Sequence, residues 1–151
     1  MPRSTARNLI ARASTTIDAP KAKVWAALVS PDAIKQYMFG TEVATTWEVG
    51  SPITWTGEWE GRSYHDKGVI RRCEPEHALA YTHFSPLSGL PDSPENYHYV
   101  TIELSGDRHR TEVTLTQDNN ASQEALEHAQ KNWTSMLDAL KEFVEKREDA
   151  V

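Results

Sequence analysis

The stretch Asn120–Arg147, NASQEALEHAQKNWTSMLDALKEFVEKR, has the periodicity of one long amphipathic helix. Asn120 is expected as the N-cap and Gln123 as its capping-box partner, so the predicted helix spans Ala121–Arg147. At roughly 1.5 Å per residue such a helix is about 40 Å long, enough to cross an entire sheet. Its predicted buried stripe, at helical spacing, consists of Leu126, Ala129, Trp133, Met136, Leu137, Leu140 and Val144.

Upstream of this helix the hydrophobic period changes to two, which is typical of strands. A first strand is predicted over Arg7–Ile17, with Leu9, Ala11 and Ala13 on one face. A long loop is predicted over Ser85–Asn96, which has three prolines and one glycine, and long loops in compact domains are often functional. The six further predicted strands are Thr41–Glu48, Ile53–Trp59, Ser63–Cys73, Ala78–Ser85, Tyr97–Ser105 and Thr111–Gln117.

Two short helices are predicted between the first and second strands. Pro20 suits the first position of one helix, and Asp18 precedes it where a negative charge complements the helix dipole. Ser30 is the expected N-cap of the second helix, with Pro31 at its first position and its end near Tyr37.

Composition limits the classes of function. A chain of 151 residues with 38% hydrophobic and 25% charged residues, and without repeats or linkers, is expected to form a single domain over residues 1–151. The net charge of −6 argues against nucleic acid and anionic membranes as partners. The single cysteine, Cys73, excludes an internal disulfide and favours a cytoplasmic location. No segment approaches the roughly 18 apolar residues of a membrane helix.

The order of these elements resembles that of the START-like (SRPBCC) superfamily. Three stretches carry the resemblance: TIDAPKAKVWAALVSPDAIKQYM (16–38), GVIRRCEPEHALAYTHF (68–84) and TEVTLTQ (111–117). More narrowly, the chain resembles the family of the heat-shock protein 90 ATPase activator C-terminal domain and its stand-alone bacterial relatives.

The resemblance covers essentially the whole chain and implies the α+β helix-grip (Bet v-like) fold. In that fold a curved seven-stranded antiparallel sheet wraps around the long C-terminal helix, with a cavity between them. Family members commonly have a tryptophan pair near the end of the second short helix, where this chain has Tyr37-Met38-Phe39. The mouth of the cavity is therefore expected to differ from that of relatives.

Three of the five tryptophans lie in WEVGSPITWTGEW, Trp47–Trp59. Trp55 and Trp59 are four residues apart and share a face. A three-residue loop, Gly50–Pro52, would pair Trp47 with Trp55, whereas a four-residue loop would send it to the opposite face. Core packing is the default for each tryptophan, but an indole N–H suits a cavity wall. At least two of the following are expected to line a pocket: Trp25, Trp47, Trp55, Trp59 and Trp133.

Histidines and tyrosines supply the polar candidates. His83 is in phase with Tyr81, and His98 alternates in phase with apolar residues of its strand. Asp66 and Arg62 share the phase of Tyr64, so they are expected either as a polar cluster at the pocket or as a surface ion pair. The predicted ligand-binding residues are Trp25, Tyr37, Trp47, Trp55, Trp59, Tyr64, Tyr81, His83, His98 and Trp133.

The sequence lacks the motifs of the common catalytic classes. None of the six histidines has H-x-x-x-H or H-E-x-x-H spacing, and no G-x-S-x-G, P-loop or G-x-G-x-x-G occurs. No metal, cofactor or catalytic residue is therefore predicted, which favours a binding protein over an enzyme.

Three hypotheses follow. The first is a cytosolic protein that binds a small apolar or aromatic ligand in the cavity between sheet and helix. The second is an enzyme of the cyclase, dehydratase or hydrolase kind, in which a cavity histidine or tyrosine moves a proton. The third, implied by the narrower resemblance, is a chaperone-partner protein with an exposed apolar patch, either on the outer face of the sheet or on the loop around Leu87 and Leu90. A homodimer through an exposed strand edge stays an open alternative.

Overall fold

The computed structural model describes residues 9–149, which form an α+β fold with one seven-stranded sheet. Arg7 and Asn8, part of the predicted first strand, lie outside the described residues. The strands are β1 Ala11–Ile17, β2 Glu42–Ala44, β3 Pro52–Trp59, β4 Arg62–Glu74, β5 Ala78–His83, β6 His98–Gly106 and β7 Thr111–Gln117. The helices are α1 Lys21–Leu28, α2 Pro31–Tyr37 and α3 Gln123–Asp149, with short 3₁₀ turns at Pro86–Ser88 and Pro94–Asn96.

The strands follow the order β1-β7-β6-β5-β4-β3-β2, and every neighbouring pair is antiparallel. Strand β1 pairs with β7 in a register that runs from Ala11 opposite Gln117 to Ile17 opposite Thr111. Because β2 lies at the far edge of the sheet, α1 and α2 carry the chain from one edge to the other. This arrangement confirms the predicted helix-grip fold.

Helix α3 runs alongside β1 and in the same direction. Near its start, the side-chain oxygen of Gln130 accepts a hydrogen bond from the backbone N–H of Arg12 (3.3 Å). Near its end, a carboxylate oxygen of Glu145 accepts one from the backbone N–H of Asp18 (2.8 Å). These bonds fix the register of the helix on the edge strand.

The predicted apolar stripe of α3 is divided between two environments. Met136, Leu137, Leu140 and Val144 are buried in the main core, whereas Trp133 is only half-buried. The periodicity correctly predicted the face that α3 presents to the sheet. Only the C-terminal part of that face is packed solidly.

The start of α3 corrects the capping prediction. Ser122 is the N-cap, since its Oγ accepts a hydrogen bond from the backbone N–H of Ala125 (3.1 Å). Asn120 is buried instead, and its amide donates to the carbonyl oxygen of Gln117 (3.0 Å). Asn120 thus closes the turn after β7, and the helix begins at Gln123, two residues later than predicted.

The starts of the short helices agree with the sequence to within one residue. Ser30 caps α2 as predicted, because its Oγ accepts from the backbone N–H of Ala33 (3.3 Å), and Pro31 takes the first position. Pro20 has an extended backbone and is itself the N-cap of α1, which begins at Lys21.

The second predicted strand is much shorter than expected. The backbone of Trp47 has a φ of 62°, a left-handed conformation that interrupts an extended strand. Strand β2 therefore ends at Ala44, and Val43, not Trp47, lies opposite Trp55. Neither of the two loops considered for Trp47 occurs.

Alanine at Leu137 is expected to lower the free energy of unfolding by about 2–5 kcal/mol, because it leaves a cavity in the core. The Leu137 side chain is 0% exposed, whereas Leu87 is 44% exposed. The matched control Leu87→Ala is expected to change stability by no more than about 0.5 kcal/mol. Urea denaturation followed by circular dichroism measures both, and equal losses would contradict this core.

Candidate functional site

An open cavity of about 1060 Å³ lies between the N-terminal half of α3 and the concave face of the sheet. Its volume is at the upper end of the range typical of small-molecule sites. Trp55, Trp133 and Met136 form its interior apolar walls. Its mouth is lined by three exposed apolar side chains, Phe39, Leu87 and Leu90.

Four rings form a continuous row along one wall. The ring centres of Tyr81 and Trp55 are 5.0 Å apart, and those of Trp55 and His83 are 5.1 Å apart. His83 stacks on His98 with a centre distance of 6.2 Å and an interplanar angle of 28°. We call Tyr81, Trp55, His83 and His98 the ring row. It offers a ligand both an extended apolar contact and polar edges.

Asp66 is the partly buried carboxyl group beside the ring row. Its Oδ2 lies 2.8 Å from Nε2 of His83, and the side chains are 16% and 28% exposed respectively. Its other oxygen, Oδ1, is buried and has no hydrogen-bond partner among the described residues. The predicted Asp66–Arg62 pair is absent because Arg62 lies exposed at the end of β4, whereas His83 faces Asp66 from β5.

Two hydrogen-bond donors of the ring row have no partner in the described part of the chain. Neither the Tyr81 hydroxyl nor the Trp55 indole N–H is hydrogen-bonded there, although both residues are buried. Burial raises the pKa of Tyr81 well above its usual value, so its hydroxyl keeps its proton. Both groups are available as donors to a ligand.

The remaining polar groups of the wall are held by the protein itself. The Trp133 indole N–H donates to the side-chain oxygen of Gln117, which turns the ring toward the sheet. Nδ1 of His98 lies 2.9 Å from the carbonyl oxygen of Asp118, and since that oxygen only accepts, Nδ1 carries the proton.

Tyr64 lies on the cavity wall because its neighbour on β3 has no side chain. Gly57 is directly opposite Tyr64, and a Cβ at that position would lie 2.6 Å from the phenol oxygen. The hydroxyl is 2.5 Å from Oγ1 of Thr41, which follows α2. Gly57 therefore lets the tyrosine ring lie across β3 and tie the sheet to the segment after α2.

Not every predicted ligand-binding residue lies on the cavity. Trp55, Tyr64, Tyr81, His83, His98 and Trp133 line it. Trp25 and Trp47 pack half-buried against the core elsewhere, and Tyr37 is buried with its hydroxyl donating to the carbonyl of Ala27 (3.1 Å). The side chain of Trp59 lies outside the described residues.

Sequence reasoning missed lining residues on α3 and directly after α2. His128 and Asn132 lie on the cavity side of α3, one turn apart from each other. Their spacing of four residues was a usable signal, since residues three or four apart share a helix face. Met38 and Phe39 line the mouth at the position where the chain was expected to differ from its relatives.

Two features are absent from the described residues. They contain no group of three or more His, Cys, Asp or Glu arranged to hold a metal ion. They also contain no helix long and apolar enough to span a membrane.

The chain belongs to the family described as activator of Hsp90 ATPase homolog 1-like protein, which it matches over residues 18–145. No curated protein matches it in sequence. The solution structure of ChR145 from Cytophaga hutchinsonii is 51% identical, with a TM-score of 0.80 over 93% of this chain and 96% of that one.

More distant structures share the fold alone. The Aha1 dimer from Colwellia psychrerythraea is 19% identical, with a TM-score of 0.70 over 90% of this chain and 96% of that one. DynU16, a putative protein in the dynemicin biosynthetic locus, is 16% identical, with a TM-score of 0.75 over 91% of this chain and 48% of that one.

Replacement of Gln117 by alanine is expected to shift one indole N–H signal of the five tryptophans upfield, because Trp133 loses its acceptor. A ¹H–¹⁵N correlation spectrum measures this, with Trp133→Phe to assign the signal. The control Gln123→Ala, on the exposed start of α3, is expected to leave all indole signals in place. A spectrum of Gln117→Ala with unmoved indole signals would contradict the bond.

Proposed function

We propose that this protein binds a small, flat and mostly apolar ligand in the cavity between α3 and the sheet. The observation that carries the proposal is the ring row, which faces a cavity of about 1060 Å³ with Trp133 on the helix side. Burial of apolar surface yields roughly 25 cal/mol per Å², so a ring system in contact with both walls gains several kcal/mol. The unpartnered Tyr81 and Trp55 donors would orient its polar end.

Binding is tested with N-phenyl-1-naphthylamine, a neutral aromatic probe whose fluorescence rises in apolar sites. One probe per protein is expected, and Trp133→Ala is expected to weaken binding at least about ten-fold by removal of the helix-side wall. Trp47→Ala is the matched control, since Trp47 packs against the core and not on the cavity. Equal losses in the two variants would place the ligand elsewhere.

The natural ligand is sought by native mass spectrometry of protein purified gently from its own cells. A mass that is released on unfolding, absent from Trp133→Ala and present in Trp47→Ala, would identify the molecule held in the cavity.

One observation favours a second function, proton-transfer catalysis on a bound aromatic compound. The Asp66–His83 hydrogen bond holds the imidazole at the cavity wall. When Asp66 is ionised, Nε2 carries the proton and Nδ1 is the basic nitrogen. A base fixed in this way in an apolar site typically contributes about 10²–10⁴-fold to a proton-transfer rate.

This second function is tested with 5-nitrobenzisoxazole, a flat neutral compound. A base removes the C3–H proton of the isoxazole ring, the N–O bond breaks, and a coloured cyanophenolate forms. His83→Gln is expected to lower the rate at least about ten-fold, whereas the control His77→Gln, on the turn between β4 and β5, keeps it. Equal rates in wild type and His83→Gln would rule out His83 as the base.

A protein-partner role has narrower support. The family description concerns an ATPase activator, and Leu87 and Leu90 are 44% and 53% exposed in the loop after β5. These leucines also form the cavity mouth, so their exposure fits ligand entry equally well. The variant Leu90→Ser tests this role. If it loses ligand binding but still captures a partner protein, the leucines belong to the cavity.

A further inference from the structure

We infer that the ligand of this cavity is a cation, with a protonated amine on the part of its ring system that meets Asp66. The inference rests on the proposed binding function and adds the charge of the ligand to it. It follows from the charges around the cavity, the arrangement of Asp66 and the position of Trp55.

The described lining of the cavity contains carboxylates and no lysine or arginine. The acidic side chains are Asp66, Glu58 and Glu95, and the only groups that could carry positive charge are the three histidines. Side chains of this kind repel carboxylate or phosphate ligands and favour neutral or cationic ones. Fatty acids and nucleotides carry a carboxylate or phosphate group, so this lining disfavours both classes of ligand.

Asp66 lacks the donors that a buried carboxylate normally has. An ionised carboxylate has about four acceptor positions, and in the described structure it uses one oxygen on His83 while the buried Oδ1 has no partner. A buried charge without compensation is costly. An ammonium group in the cavity beside Asp66 would supply the opposite charge.

The lysine nearest in sequence does not neutralise Asp66. Lys67 is the next residue along β4 and forms an ion pair with Asp92 of the loop after β5. Neighbouring residues of a strand point to opposite faces, so Lys67 is directed away from the carboxylate. His83 and His98 are the ionisable cavity groups of the neighbouring strands, and of these His83 contacts Asp66 through Nε2 (2.8 Å).

Trp55 adds a second contact of the right kind. It lies directly opposite Asp66 in the register of β3 and β4, which puts their Cβ atoms about 4.5–5.5 Å apart. An ammonium that contacts Asp66 from the cavity therefore lies beside an indole ring. Cations are attracted to indole faces, more strongly where water is excluded.

The test uses three probes that share one ring system and differ in charge: 1-pyrenemethylamine, 1-pyrenemethanol and 1-pyrenecarboxylic acid. Binding is measured at pH 7.5 by pyrene fluorescence, at low and high salt. The amine is expected to bind wild-type protein about ten-fold more tightly than the alcohol, and the acid more weakly than the alcohol. The amine preference is expected to persist at high salt, because a buried pair is screened little.

Asp66→Asn tests the residue. The variant keeps the side-chain shape. Its affinity for the amine is expected to fall to its affinity for the alcohol, and its affinity for the alcohol is expected to change less than about two-fold. Glu112→Gln, an exposed position on β7, removes the same charge from the surface and is the matched control. Circular dichroism checks that Asp66→Asn is folded. The relative affinities of wild-type protein for the three probes do not depend on this variant.

The outcomes separate the two proposals. Alcohol binding that equals or exceeds amine binding in wild type overturns the cationic ligand and leaves the apolar site standing. Equal loss of the amine preference in Asp66→Asn and Glu112→Gln overturns the role of Asp66. Failure of all three probes to bind overturns the binding function, and the inference with it.

Discussion

The packing of the C-terminal half of α3 on the sheet is the contact on which the rest of the structure depends. Leu137 and Leu140 are fully buried there, and Glu145 holds the backbone at the end of β1. A continuous helix of 27 residues is stiff, so anchoring one half also positions the other half. The N-terminal half therefore spans the concave sheet without filling the space beneath it. The cavity is the space that remains between this half of the helix and the sheet.

The bend of the sheet brings the polar residues of the site together. A Cβ at Gly68 would lie 1.7 Å from the carbonyl oxygen of Thr82, so β4 and β5 approach very closely there. The pairing register of the same two strands shifts between Ile70 and Arg72, and such irregularities bend a strand and increase its twist. The bend follows Asp66 along β4 and aims its carboxylate at β5.

The elements were predictable because their signals are local. The helical stripe of α3, the cap at Ser30 and the alternation around His98 each depend on residues within one turn or strand. The break at Trp47 was not predictable, since a positive φ in a tryptophan has no sequence signal comparable to glycine. The Asp66–His83 pair was missed for another reason: it depends on how β4 and β5 bend together. Likewise, periodicity marks Trp25 as apolar-facing but does not separate core from cavity.

The fold and the side chains that line its cavity carry different information about function. The same fold holds structures as different as an Aha1 dimer and a protein in the dynemicin biosynthetic locus, so the framework does not decide function. Function has to be argued from the side chains placed on the framework. Asp66 sits in a largely apolar cavity, where a hydrophobic residue of similar size would be the more stable choice. The carboxyl group at this position, beside Trp55 and His83 from two other strands, is the feature that supports our proposal of a ligand site.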